Sequence, residues 1–178
     1  MNKVKLLACI LMLLISGLMT NALASGDHQF DKASFSKIAK KTIGRVVSGN
    51  IDADVMIADM EKLVAIGVEG CKEHMTEAET PAAEAKIMQL VIDNATSMGS
   101  MSLDDIEAQW HEGAFVKANG ADISSFDHFS EVLSHYDTVV HPATAIICLK
   151  QYKVSADEAL LEQVQDELIE VNEHIAHL

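Results

Sequence analysis

Histidines and acids recur together in this sequence at a spacing that could do chemistry. Five of the eight histidines stand four residues after an acid: Glu107/His111, Glu131/His135, Asp137/His141, Glu170/His174 and Glu173/His177. Residues four apart face the same way on a helix. Such a pair can support the helix, raise the histidine pKa or clip a metal ion to the surface. An acidic helical chain also produces these pairs freely as solvated faces, and spacing alone favours that reading. His128 and His135 are seven apart and lie opposite the apolar seam of their helix, a pattern that predicts exposure to water.

Templates with a defined ligand geometry are missing. Glu-x-x-His does not occur, and His111-Glu112 is followed by Gly113-Ala114-Phe115 rather than by a second histidine. No close Cys/His set has zinc spacing. Softer ligands exist in Met56 and Met60 on one face, Met98 and Met101 around a turn, and the adjacent His74-Met75. Met and His together can hold copper(I) in exported proteins, although methionine is also an ordinary core filler. Met56 or Met60 with His174 could grip a non-covalent haem as b-type haem bundles do. His174, however, falls about a quarter-turn from the seam of its helix. CxxC and CxxCH are absent, as are Gly-x-Ser-x-Gly and the phosphate-binding loops. What remains is His141 beside Pro142, and the cluster Trp110-His111. Proline removes a helical hydrogen bond and frees backbone groups, so a break at Pro142 with His141 next to it is the candidate ligand or metal site. Trp110 is on schedule as a core residue.

The elements that must position these residues are helices. The first 24 residues divide into a basic start with Lys3 and Lys5, an apolar run from Leu6 to Met19, and the small-x-small sequence Ala22-Leu23-Ala24. That is a secretory signal peptide, with cleavage expected after Ala24. Residues 25–178 then form a single helical-bundle domain with no membrane span, in the periplasm or secreted. Removing Lys3 and Lys5 leaves 11 basic against 27 acidic residues, a net charge of −16. This balance disfavours nucleic acid and anionic lipid, both of which call for clustered cations.

Scarce aromatics, only two prolines and abundant Ala, Leu, Ile, Val and Met favour helices over strands. Ser34 is placed to cap a first helix ending at Gly49-Asn50, and Asp52 a second carrying Met56, Met60, Leu63, Gly67 and Cys71. Thr80-Pro81 opens a third with Met88, Val91 and Ala95 inward. Ser102 begins a short fourth. Ser124 or Ser125 begins a central helix through Phe126, Phe129, Leu133, Tyr136 and Val140, which kinks or breaks at Pro142. Ser155-Ala-Asp-Glu158 reads as a full capping box for the last helix, where Leu161, Val164, Leu168, Val171 and Ile175 make the seam.

The expected architecture is all-α: an antiparallel helical bundle of about four main helices plus short ones. Cys71 and Cys148 are expected to be joined in one disulfide, closing a loop of about 77 residues for roughly 4 kcal/mol. With no catalytic motif left over, the expected role is non-enzymatic binding of a protein or small-molecule ligand, with no cofactor implied. A copper-type metal or haem carrier is the alternative, and an enzyme of unknown class the second.

Overall fold

The computed structural model describes residues 30–178; the expected signal peptide lies outside them. Five long helices, α1 (Lys32–Ser48), α2 (Ala53–Thr76), α3 (Ala82–Met98), α6 (Glu131–Ser155) and α7 (Ala159–Ile175), make the body. Between α3 and α6 run the short α4 (Leu103–Ile106), a π-helical turn (Glu107–His111), α5 (Ala114–Ala118) and a 3₁₀ turn (Ile123–Ser125). The described residues contain no strand, and none of their helices is long and apolar enough to cross a membrane. The all-α expectation holds, with five long helices where about four were expected.

Helix α6 is the axis of the fold. It packs on α2, α7 and α3, while α1 closes the outside against α7 and α2. Contacts between Asp54 and Lys153, Gly67 and Thr138, and Cys71 and His135 run in opposite chain directions, so α2 and α6 are antiparallel. Every residue of α6 from Val139 to Leu149 is buried. A helix walled on all sides must be apolar all round, and Val-Val-His-Pro-Ala-Thr-Ala-Ile-Ile-Cys-Leu nearly is.

Pro142 does not break this helix, which runs through it without interruption. The ring leaves the Thr138 carbonyl without its usual donor. That carbonyl faces Gly67 of α2, where an added Cβ would lie 2.6 Å from the oxygen. Close approach of the two helices at a glycine accommodates the defect; of the expected kink or break, the break is corrected, since α6 is one helix through this tight crossing.

Other expectations change at the helix ends. Asp31 caps α1, its carboxylate accepting from the Ser34 amide at 2.9 Å, so Ser34 is already inside the helix. The central helix begins at Glu131, after the 3₁₀ turn capped by Asp122, which leaves Phe126 half-buried and Phe129 exposed. Ser155 does not cap α7. It is the last residue of α6, and its hydroxyl donates back to the Gln151 carbonyl at 3.0 Å, the local competition that serine offers a helix. Ala156, in the left-handed region at φ 53°, ends α6, and Asp157 accepts from the Ala159 amide to start α7.

The expected disulfide is also corrected. Cys71 and Cys148 are both free and both buried. The Cys71 thiol reaches the His135 carbonyl at 3.5 Å. Thirteen residues separate His135 from Cys148 on the same helix, about 20 Å at the α-helical rise. A disulfide needs Cα atoms within about 7 Å. The two cysteines sit in different halves of the core, Cys71 with Trp110 and Tyr136, Cys148 with Met60 and Leu168.

Candidate functional site

Polar side chains gather where α6, α7 and the π turn meet. Asp137 and His141 lie one turn apart on α6; Glu167, Glu170 and His174 come from α7; His111 ends the π turn; and His128 lies in the segment before α6. The π turn is sealed by the Glu112 amide donating to the Glu107 carbonyl at 2.9 Å, a wider ring than an α turn. It carries His111 over α6, where Nε2 lies 2.9 Å from the Thr144 hydroxyl. That hydroxyl donates to the Val140 carbonyl, so it accepts from His111.

His141 is 3 % exposed and is held from both sides. Its Nδ1 is 2.7 Å from Glu167 Oε2, and its Nε2 is 3.8 Å from Asp137 Oδ1. With Glu167 accepting the Nδ1 proton, Nε2 is left as the free lone pair on the Asp137 side. His174, a quarter-turn off the seam of α7, is nevertheless fully buried. Its Nε2 stands 3.2 Å from Asp137 Oδ2, yet neither ring nitrogen makes a hydrogen bond. Buried polar atoms without partners are costly, about 1–3 kcal/mol each. Asp137, His141 and His174 bring one donor atom apiece within 4.8 Å of one another. Two further triads overlap this one: His111, His141 and Glu167, and His128, Glu170 and His174.

The electrostatics follow from burial. Asp137 is pushed up to about 7, chiefly by desolvation, with Glu170 and Glu167 adding and His141 opposing. Burial, then the charges of His141, His128 and His177, bring His174 down to about 4. For His141 burial acts downward, but the Glu167 hydrogen bond and the charges of Asp137, Glu167 and Glu170 outweigh it, and its pKa is raised. His111 is lowered, mainly by burial. A cavity of about 130 Å³ opens on this group, lined by His111, His128, Tyr136, Asp137, His141 and Glu170. Two larger clefts, about 390 and 540 Å³, lie along Gly99, Ser100 and Lys150 and hold none of these histidines.

The sequence-derived site residues separate here. His141 and His111 come together, their ring centroids 5.1 Å apart. Pro142 is buried in α6 and offers no donor to the cluster. Trp110 is core, its ring tilted against Phe115 with centroids 4.9 Å apart, and its carbonyl accepts from the Tyr136 hydroxyl at 2.7 Å. That bond anchors the π turn to α6 and so helps to position His111. Met56 and Met60 are buried among Leu63, Leu168 and Val171, as apolar filling. Sequence reasoning paired Glu170 with His174 but did not single out Glu167 or Thr144. The seven-residue interval from Glu167 to His174, with Glu170 between, was the available signal: it places all three on one face of α7. Comparison with protein-family models, with curated proteins and with solved structures finds no match to this chain.

Proposed function

We propose that this protein binds a divalent first-row transition-metal ion at Asp137, His141 and His174. The observation that carries the reading is His174, a fully buried ring with neither nitrogen hydrogen-bonded, set 3.2 Å from a carboxylate oxygen and beside a second histidine. An ion accepting the His174 and His141 lone pairs and the Asp137 carboxylate would satisfy these groups together. Two imidazoles and a carboxylate suit zinc, iron(II), manganese or copper(II). The set contains no thioether or thiolate, which argues for this class over copper(I). Glu167 plays the supporting part usual at such sites, a carboxylate that orients a ligating histidine through its other nitrogen.

The role is binding in an exported compartment, as the first 24 residues suggest. A second reading, a metal-dependent enzyme, draws on the cavity lined by two of the three donors, Asp137 and His141, since a catalytic ion keeps an open coordination position. Metal analysis of protein purified from its native source, together with cobalt(II) titration, tests the common core. The expected result is one ion lost in both His174→Ala and Asp137→Asn while far-UV circular dichroism stays unchanged. Unaltered metal uptake in both folded variants would overturn it.

A further inference from the structure

The acid-x-x-x-His module at Asp137 and His141 has a copy six residues earlier on α6, at Glu131 and His135. Six residues advance the helix about 9 Å and turn it to a different face. There the copy meets α2 rather than α7. The third donor is His74, near the end of α2, and one donor atom each from His74, Glu131 and His135 lies within 4.8 Å of the others.

This cluster repeats the features of the first. His74 is 3 % and His135 6 % exposed, against the expectation that His135 faces water. Their ring centroids are 5.2 Å apart. His74 Nε2 lies 3.0 Å from Glu84 Oε2 of α3, so a carboxylate holds one nitrogen of this ring as Glu167 does for His141. The other nitrogen, Nδ1, is buried without a hydrogen bond, as is Nδ1 of His135. The Thr80 hydroxyl donates to the His74 carbonyl at 2.5 Å and ties down the end of α2. Phe30 covers the His135 ring at 5.7 Å, edge on, and its amide donates to Glu73. Gly70 leaves room for this, since a Cβ there would sit 2.8 Å from Phe30 Cδ2 and 3.0 Å from His135 Nδ1. Glu131 is exposed, so one donor of the cluster faces solvent.

We infer that His74, His135 and Glu131 form a second binding site for a divalent transition-metal ion, backed by Glu84. The inference uses none of the donors of the first site. Zinc(II) alone is the probe, added to the metal-stripped full chain and counted by native mass spectrometry and calorimetry. The expected result is two ions per chain, one of them lost in His174→Ala and the other in His74→Ala. Glu131→Gln changes an exposed side chain and leaves the core intact, so it guards against misfolding; it should weaken one of the two sites at least tenfold. A single ion that His174→Ala abolishes would overturn the second site and leave the first standing. An ion lost in His74→Ala but not in His174→Ala would do the reverse. Two affinities unchanged by Glu131→Gln would also overturn the second site.

Discussion

The carbonyl oxygen of Thr138 lies 2.6 Å from where the Cβ of any larger residue at Gly67 would stand. Pro142 puts that carbonyl there without its helical donor, and the absence of a side chain at Gly67 lets α2 close over it. Both residues are wholly buried, and backbone atoms yield little. Gly67→Ala should therefore cost about 2–3 kcal/mol, a typical overpacking penalty, despite alanine's better helix propensity. Denaturant unfolding measures it; a midpoint equal to or above wild type would refute the account.

The two cysteines supply a chemical test of the same core. Burial pushes both the Cys71 and the Cys148 thiols up to about 12. Since the thiolate is the nucleophile, neither should react with iodoacetamide in the folded protein at neutral pH. Both should react once the chain is unfolded in denaturant without reductant. Mass spectrometry of the alkylated chain reads the outcome directly; a chain that takes up no label until reductant is added would show a disulfide instead.

Helical periodicity made most of this fold readable. The seams of α2, α3 and α7 are apolar on one side and polar on the other, so Met60, Met88 and Leu168 could be placed inside from spacing alone. The site was less legible because it lies on α6, which is buried all round. On such a helix no face is solvent, and reading His135 as solvated from its angle to one seam fails when α2 covers the opposite side. His141 was found through its neighbour Pro142, although the proline turned out to mark a helix crossing. Glu167 and His174 needed the packing of α7 on α6, which no interval within either helix specifies. The cysteine pair failed for a related reason: an even count says that two thiols exist, but not that Cys71 of α2 packs against His135, thirteen residues along α6 from Cys148.

Asp59 gives a pH-dependent prediction away from the histidines. It is 3 % exposed and receives Lys41 at 2.7 Å and Lys62 at 3.1 Å. Burial acts to raise its pKa, but the hydrogen bonds and charges of the two lysines win and hold it below the usual carboxylate range. A carboxylate depressed on folding contributes stability above its unfolded pKa of about 3.9 and loses it as pH falls through the lower folded value. The lysines are half-exposed, so the contribution is modest, about 1–2 kcal/mol at pH 7. Asp59→Asn should show that loss at neutral pH, and the gap to wild type should close in acid. Parallel stability curves for the two proteins between pH 7 and pH 2 would contradict it.

Glu167 separates a positioning role from ligation. It accepts from His141 Nδ1 at 2.7 Å and so fixes which nitrogen faces Asp137. Carboxylates in this position typically contribute 10- to 100-fold in metal affinity. Glu167→Gln should weaken binding by about that factor and keep the one-ion stoichiometry of the Asp137 site, whereas Asp137→Asn should abolish it. Equal behaviour of the two variants in a cobalt(II) titration would show that Glu167 is itself a ligand.

Phe129 stands at the edge of the proposed Asp137 site. Its ring is 40 % exposed, stacks on His177 with centroids 4.4 Å apart, and lies 5.2 Å from the buried His174. The sequence placed it on a helical seam, but it stands outside α6, in the short segment that also carries His128. An exposed aromatic held against the three imidazole rings of His128, His174 and His177 is placed to act as a cover over the proposed site, and it supplies no donor. Phe129→Ala removes that cover and touches no ligand. Metal release to a chelator should then accelerate, by about tenfold if roughly 1.4 kcal/mol of the exit barrier comes from displacing the ring. The ion count should stay the same. Because the ring is largely outside the core, thermal stability of the metal-free protein should move little. Stopped-flow transfer of cobalt(II) to EDTA measures the rate, and an unchanged rate would mean that the ion leaves past His111 and Glu170 instead.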